Sequence, residues 1–484
     1  MMPFPAKLRS FPVTAALVSL ALLVPCIWQP HIQAGDLSSH LYNTWLTQLA
    51  SAGQAPGITI VSLRTNVLFD LLLEGAWRLA GPRFAEVSVV GLTVLVFFWG
   101  AFALLRRVHR TLPWTWTPCL AMLAYGWVFR SGFFNFYLSL GLCFWAMAVA
   151  WNRKWKSLLL AAVILLLAYT AHALPIAWAC GLLLYSWILR HLDPARRWIL
   201  LVGALVSMAA TGALLTASFP TRWGIQQVMS LTGSDQLFIT GAKSLLLALG
   251  LAVLWLVILN RYWLSAKGTL VRSDIELHLF LLSAASTVLI PTGILLPGFA
   301  HGLLYISDRM SLCVAVCACL VLAKVALTRG EQATMAALTA VFFAFSYVDE
   351  RAASGIENAM VSALQPLPPG QRVVSGVVGA SSRVDLLGHA VDRACIGRCF
   401  SYGNYEPATR QFRIRVQPGS PVVVQSYADS YAIQTGSYTI KETDLPIYAL
   451  CPRPGAPVSF ELRGLQPSEK VPMVPVPYAP DVVH

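Results

Sequence analysis

Long apolar runs separated by short polar connections fill the chain up to residue 348, and the first is FPVTAALVSLALLVPCIW at residues 11–28. A helix needs about 20 predominantly apolar residues to cross a bilayer, so each run is a candidate span. The pattern predicts a mainly α fold, a polytopic membrane helical bundle with about eleven spans. The predicted spans are residues 11–28, 84–105, 113–129, 133–151, 157–171, 174–189, 198–217, 244–260, 277–296, 310–323 and 333–348.

Basic side chains gather in alternate connections between these runs. They are Arg106, Arg107, Arg110, Arg153, Lys154, Lys156, Arg190, Arg196, Arg197, Arg261, Lys267, Arg272, Lys324 and Arg329. Because Lys and Arg favour cytoplasmic loops, these connections should share one side with the basic N-terminal residues Lys7 and Arg9. The same rule predicts that the loop at residues 29–83 and the segment after Val348 are extracytoplasmic.

The composition agrees with a membrane environment. The chain is 57% hydrophobic and 12% charged, with a mean hydropathy of +0.63, whereas soluble domains carry about 25% charged residues. A net charge of +13 does not predict nucleic-acid binding, because the basic residues lie between apolar runs and do not form one basic face. The first run exceeds the apolar core of a signal peptide, so we interpret it as a retained anchor in the cell (inner) membrane.

The chain changes character after residue 348, where Gly, Pro and charged residues return. Alternating polar and apolar residues predict strands at residues 411–417, 421–426, 437–441, 446–450 and 458–462. We therefore divide the chain into a transmembrane domain, residues 1–348, and a small C-terminal α+β extracytoplasmic domain, residues 349–484. Cys395, Cys399 and Cys451 allow one disulfide there, with the pairing left open, and no zinc site is predicted.

The long first outer loop begins with AGDLSSHLYNTWLTQL at residues 34–49. On a helix, Asp36, His40 and Asn43 fall on one face, because positions i, i+4 and i+7 lie together. A second amphipathic segment at residues 66–80 closes at a Gly-Pro pair. The loop is therefore predicted to form two interfacial helices.

Two interpretations of Asp36 remain open. Its carboxylate suits a helix N-cap, which accepts hydrogen bonds from free backbone N–H groups. Alternatively, Asp36 and His40 share a face beside the bilayer, where a low dielectric and a charged neighbour can tune a general base. His40 in turn either assists that base or is an interfacial histidine with no partner.

Four stretches resemble the GT-C-type membrane glycosyltransferases. They are GDLSSHLYNTWL, NVLFDLLLEGAWRLAGPRFAEVSVVGL, GFFNFYLSLGLCFWAMAVAW and AHALPIAWACGLLLY, all within residues 35–185. The resemblance implies an inverting transfer from a polyprenyl-phosphate-linked sugar, with the first-loop acid, here Asp36, as the base on the acceptor hydroxyl. The family often has a second acid beside the first. Leu37 stands there in this chain, so the resemblance implies no metal site, although a divalent metal is left open and no cofactor is expected.

Donor phosphate would need basic side chains on the outer side. Arg64, Arg130 and Arg309 are the predicted phosphate-binding residues, because a guanidinium can bind phosphate through two parallel hydrogen bonds. The alternative for each is an interfacial arginine whose charge reaches the lipid headgroups. The expected partners are therefore a lipid-linked sugar donor and membrane lipid.

Two other functions stay open at this point. One is a non-enzymatic transporter or flippase for a lipid-linked glycan, and the other is a membrane scaffold whose C-terminal domain binds a partner. A transporter more often shows internal repeats with broken helices in both halves, and this sequence has no clear repeat. Phosphate-binding Gly-rich loops, dinucleotide fingerprints and HExxH are absent from the sequence, so ATP-driven transport, dinucleotide chemistry and zinc proteolysis are not predicted.

Overall fold

The computed structural model describes residues 11–265, 274–379, 383–453 and 458–476. Helices dominate the part before residue 365. They are α1 Phe11–Leu23, α2 Leu37–Ser51, α3 Leu68–His109, α4 Thr117–Ala124, α5 Trp127–Arg130, α6 Phe134–Ala150, α7 Trp155–Ala171, α8 Ala173–Leu189, α9 Arg197–Ser218, α10 Gln226–Met229, α11 Gly241–Ser265, α12 Ile275–Leu289, α13 Ile306–Leu322 and α14 Arg329–Leu364. The fold is therefore mainly α, as predicted.

Three helical segments are long and apolar enough to cross a membrane, namely Leu68–His109, Pro194–Ser218 and Gly241–Ser265. Further apolar helices of 10–17 residues include α6, α7, α8 and α12. Large apolar side chains point outward from several of these helices, such as Leu166 at 68% exposure and Leu246 at 68%. Such a surface is rare in water and is compatible with a surrounding membrane.

Three predicted segments differ in the structure. Helix α12 ends at Leu289, before the end of the predicted span 277–296, and a short strand at Gly293–Ile294 follows it. The run at residues 113–129 is not one span: a short 3₁₀ turn, α4 and α5 replace it, because Gly126 adopts an extended backbone between the two helices. The segment at residues 66–80 is not a separate surface helix but the first part of α3. A kink at Ala80 and Gly81 joins it to the rest of that helix.

The helix ends that carry the basic connections meet at one end of the bundle. The His109 ring contacts the carbonyl of Leu320 at 2.9 Å, which joins the ends of α3 and α13. Arg190 after α8 donates to the carbonyl of Trp151 after α6 at 3.0 Å. These contacts agree with the predicted grouping of basic connections. Lys7, Arg9, Lys267 and Arg272 belong to that prediction but lie outside the described residues.

The C-terminal part contains short helices and a four-stranded sheet of order β6-β4-β8-β9. Its elements are β4 Gln371–Ser375, β5 Val377–Gly379, α15 Ala390–Ala394, β6 Cys399–Ser401, α16 Tyr405–Thr409, β7 Ile414–Val416, α17 Tyr427–Gln434, β8 Ile447–Arg453, β9 Ser459–Gly464 and β10 Val474–Val476. Strand β4 runs parallel to both β6 and β8, and β8 pairs antiparallel with β9. Strand β5 pairs with β10 outside this sheet.

The strand predictions hold only in part. Strands β7, β8 and β9 fall within or next to the predicted ranges 411–417, 446–450 and 458–462. The ranges 421–426 and 437–441 are not strands: the first packs as buried coil, and the second makes only an isolated bridge between Thr439 and Lys470. Three consecutive valines are buried in the first range, and buried and exposed residues alternate in the second, but neither range forms a strand.

Two features attach the C-terminal part firmly to the bundle. Helix α14 runs unbroken through the predicted domain boundary at residue 348, and a capping box between Thr328 and Glu331 starts it. Strand β1, Ile58–Ile60 in the first outer loop, pairs antiparallel with β7. The two predicted domains therefore share a helix and a strand ladder. Two shorter strands, β2 Thr221–Arg222 and β3 Gly293–Ile294, pair elsewhere on the bundle.

Helix α2 is buried and does not lie on the surface as predicted. The backbone N–H of Ser401 donates to the Tyr42 hydroxyl at 2.9 Å, and Asn404 donates to the side chain of Asn43 at 2.6 Å. The polar face of α2 is thus covered by the C-terminal part. A disulfide between Cys395 and Cys399 joins the end of α15 to β6, which answers the pairing that the sequence left open, while the Cys451 thiol is free and buried.

Candidate active site

A cavity of about 600 Å³ lies where the first outer loop, several helix ends and the C-terminal part meet. Its lining includes Asp36 and His40 from the loop, Arg309 from the first turn of α13, and His389 and Glu406 from the C-terminal part. It is therefore a composite site, which needs segments that are far apart in sequence.

Asp36 occupies the N-cap position of α2, but its side chain does not cap the helix. The residue has φ −72° and ψ −7°, a helical backbone conformation. A capping side chain usually needs a β-region backbone at this position. The capping interpretation is therefore wrong, and the carboxylate, 27% exposed, lies at the cavity wall.

Backbone contacts fix the position of Asp36. Its N–H donates to the carbonyl of Ser131 at 3.1 Å, and the N–H of Gly35 donates to the carbonyl of Arg130 at 2.7 Å. The first outer loop is thus held against the turn between α5 and α6. These bonds place the carboxylate without using its oxygen atoms.

His389 lies next to Asp36. Its Nε2 atom is 3.6 Å from Oδ1 of Asp36, and its Nδ1 atom is 3.1 Å from Oδ2 of Asp392. Burial alone lowers the pKa of the His389 imidazole, but the hydrogen bond to Asp392 and the charges of Asp392 and Asp36 raise it to about 9. The ring therefore carries a positive charge at neutral pH.

His40 lines the same cavity but pairs with a different acid. Its Nδ1 atom is 2.7 Å from Oδ1 of Asp70, and Asn135 donates to the other oxygen of Asp70 at 2.9 Å. Burial lowers the pKa of His40, yet Asp70 outweighs burial and raises it to about 9. The His40 ring is therefore neither partnerless nor ion-paired with Asp36, although the His40 backbone N–H donates to the Asp36 carbonyl at 3.0 Å; the ring is the cationic member of a neighbouring ion pair.

Arg309 presents a guanidinium to the cavity. Its central carbon lies 3.8 Å from the centre of the Phe133 ring, a cation–π contact. Its Nε atom is buried and has no hydrogen-bond partner within the described part of the chain. The adjacent Asp308 does not neutralise it, because Asp308 pairs with Arg383 at 2.9 Å. A cation without a matched acid is a suitable site for an anionic group.

The other two predicted phosphate contacts lie elsewhere. Arg130 is buried in an ion pair with Glu350 and donates to the carbonyl of Gln33 at 3.2 Å. It does not line the main cavity, and the buried Glu350 carboxylate neutralises its charge. Arg64 is exposed on the first outer loop and also lies outside the cavity lining. Of the predicted residues, the structure brings together Asp36, His40 and Arg309.

The C-terminal part supplies a second acid and an aromatic wall. Glu406 is buried beside the cavity, and burial raises its pKa to about 7 against the opposing charge of His40. The Tyr405 ring lies 5.8 Å from His301 and 5.7 Å from Phe412. Flat aromatic faces with polar groups nearby are typical of sites for small amphipathic ligands. Residues 389–407, which contain Tyr405 and Glu406, are dense in polar and aromatic groups, and this composition is a weak local signal for a binding site.

A metal site has no support in the part of the chain that the structure describes, where no group of three or more His, Cys, Asp or Glu side chains could hold an ion. No known protein family, curated protein or solved structure matches this chain. The case for a function therefore depends on the chemistry of the cavity. Its lining includes the uncapped carboxylate of Asp36, two histidines with a raised pKa, and the Arg309 guanidinium, which has no ion-pair partner among the described residues.

Proposed function

We propose that this protein is a multi-pass membrane glycosyltransferase of the inner membrane. It transfers a sugar from a lipid-phosphate-linked donor to an acceptor hydroxyl at the extracytoplasmic face. The observation that carries this proposal is that Asp36, free of any capping role, faces the same cavity as the guanidinium of Arg309. The resemblance of residues 35–185 to GT-C glycosyltransferases supports the same activity.

The proposed reaction needs a base and an anion-binding group. As the acceptor oxygen attacks the anomeric carbon, Asp36 takes the hydroxyl proton, and the bond between that carbon and the phosphate oxygen breaks. The electron pair leaves with the phosphate, whose charge Arg309 balances. A single attack from the face opposite the leaving group inverts the configuration at the anomeric carbon. Atoms and charge balance in this step without an oxidant or a metal.

The arrangement of charges supports the proposed orientation. Helices α3, α6, α8 and α13 each begin beside residues that line the cavity, and the connections after their opposite ends are rich in Lys and Arg. By the positive-inside rule, those ends are cytoplasmic. The cavity and the C-terminal part would then be extracytoplasmic, and the helices before residue 365 would form the membrane domain, in which three segments are long and apolar enough to span.

An apolar surface beside the cavity supports a lipid-linked donor. The connections joined by β2 and β3 expose Trp223 at 48%, Ile225 at 81% and Phe299 at 51%. Residues 301–305, from the same connection as Phe299, line the cavity. A hydrocarbon chain lying along this surface would therefore bring its phosphate towards Arg309.

The test is sugar transfer by membranes that contain equal amounts of wild type or Asp36→Asn. The donor is a radiolabelled polyprenyl-phosphate sugar, and labelled lipid-free product is counted with the cell's own envelope glycans as acceptor. Loss of the base should lower transfer by about 10²- to 10⁴-fold. Asp193→Asn is the matched control, because Asp193 is exposed at the basic end of the bundle. Equal transfer by wild type and Asp36→Asn would refute the proposed mechanism.

A further inference from the structure

Three side chains from the two halves of the protein form a row at the cavity wall. His389 lies between Asp36, at 3.6 Å from Nε2, and Asp392, at 3.1 Å from Nδ1. Asp392 is 3% exposed, and its second oxygen accepts a hydrogen bond from the Ser401 hydroxyl. Asp392 is therefore fixed on both sides, and it fixes the imidazole ring in turn.

His389 is the ion-pair partner of Asp36 in the described part of the chain. Other titratable groups face the same carboxylate from the elements packed around it. They are His40 on α2, His301 and Tyr305 in the connection before α13, Arg309 on α13, and Tyr405 and Glu406 on α16. None of these makes an ion pair with Asp36 within 4 Å among the described residues.

We propose that His389 and Asp392 are positioning residues that hold the Asp36 carboxylate at the cavity wall. This inference rests on the proposed function only for the role of Asp36 as the base. The pairing itself is a property of the structure. It means that the C-terminal part completes the active site, because the first outer loop alone leaves the carboxylate without a partner.

The positive charge of the His389 imidazole allows it to hold the Asp36 carboxylate in place. Between two carboxylates, a protonated ring can donate from Nδ1 to Asp392 and attract Asp36 through Nε2. The raised pKa of His389, about 9, agrees with this placement. The carboxylate of Asp36 is then kept in one orientation, while its free oxygen remains available to an acceptor hydroxyl.

The pairing can be tested without any activity assay. Diethyl pyrocarbonate modifies neutral imidazole, and its rate at each histidine of the detergent-purified protein can be measured by peptide mass spectrometry at pH 7.5. Asp36→Asn should speed modification of His389 about threefold or more, because losing a neighbouring negative charge leaves more of the ring neutral. Asp392→Asn should have a larger effect. Asn is nearly isosteric with Asp, so access to the ring is preserved.

The same experiment contains its own control. Asp70→Asn should speed modification of His40, the other paired histidine, and leave His389 unchanged. The modification rate of the exposed His191 should be the same in every sample, which checks that the reagent concentration is equal. An unchanged rate at His389 in Asp36→Asn would overturn the pairing and with it the inference, whatever the sugar-transfer assay shows.

A second readout examines the role of the pairing in transfer. His389→Gln should lower kcat about tenfold at neutral pH, with little change in KM for the donor. Wild-type transfer should fall as the pH rises through about 9, and this alkaline decline should be absent from the variant. A variant with the wild-type kcat and pH profile would overturn the positioning role. If wild type itself transfers no sugar, the proposed function fails, and the labelling rates still decide the pairing.

Discussion

Gly132 lies directly against the backbone of Asp36. A Cβ atom added to Gly132 would be 2.4 Å from the amide nitrogen of Asp36, closer than any real contact. Gly132 also has φ +81°, in the left-handed region that favours glycine. The turn between α5 and α6 therefore accepts only glycine at the point where it supports the candidate base.

Substitution of Gly132 should damage both the fold and the site. Gly132→Ala combines a strained φ with the clash at Asp36, and we expect it to cost about 2–4 kcal/mol of stability and most of the sugar transfer. Gly53→Ala is the control, because Gly53 has φ +72° and open space around it. Thermal unfolding in detergent should show a clearly larger fall in Tm for Gly132→Ala. Equal falls in Tm for the two variants would mean that the close approach of Gly132 to Asp36 does not contribute to stability.

Arg309 should set the affinity for the donor. Arg309→Gln removes the charge that faces the cavity, so the KM for the lipid-linked donor should rise about tenfold or more, and Arg309→Lys should recover part of the loss. Initial rates at varied donor concentrations measure this. The control is Arg64→Gln, which changes an exposed arginine outside the cavity. A donor KM that does not respond to Arg309→Gln would argue against the phosphate contact.

The pair of His40 and Asp70 should make stability depend on pH. The pKa of His40 rises from an ordinary value of 6.5 to about 9 in the folded state. Because the folded protein holds this proton more tightly, the pair stabilises fully below pH 6.5 and loses that contribution as the pH passes 9. Asp70→Asn should therefore lower the free energy of unfolding at pH 6 by on the order of 2 kcal/mol, seen as a lower Tm, and should have little effect above pH 9. A Tm difference that is constant with pH would contradict this assignment.

Arg130 should behave as a structural residue. Its charge balances the buried Glu350, so Glu350→Gln leaves a buried cation without its partner and should cost about 3–5 kcal/mol. Chemical denaturation of the purified protein measures the loss. The comparison is Glu461→Gln, which breaks an exposed pair with Arg453 and should leave stability unchanged within error. If Glu350→Gln unfolds at the wild-type denaturant concentration, Arg130 must have another partner.

Local patterns in the sequence were enough to predict several of these features. The apolar runs correspond to helices because hydrophobicity over one helix is a local property. Arg130 and Arg309 could be singled out because apolar stretches flank both, where charge is uncommon. Asp36 could be singled out because it is the acid that opens the first outer loop after the first apolar run. The prediction of one span at residues 113–129 was wrong, because composition alone does not reveal the break at Gly126.

The contacts between distant segments could not be predicted in the same way. His389 lies more than 350 positions after Asp36, and no periodicity links them. The partner of Arg130, Glu350, is also distant in sequence, and a charged residue flanked by apolar helices looks the same whether it binds a substrate or a buried acid. The burial of α2 followed from the C-terminal part folding over its polar face, which an amphipathic pattern in one segment cannot show.

Helix α14 connects the bundle to the C-terminal part without a break. Its 36 residues span about 54 Å, from the basic end of the bundle to Leu364, shortly before β4 of the sheet. Glu357 on this helix forms an ion pair with Arg393, the residue that follows Asp392. Because a continuous helix has no hinge loop, the C-terminal wall of the cavity is tied to the bundle and cannot swing away from it as a separate domain.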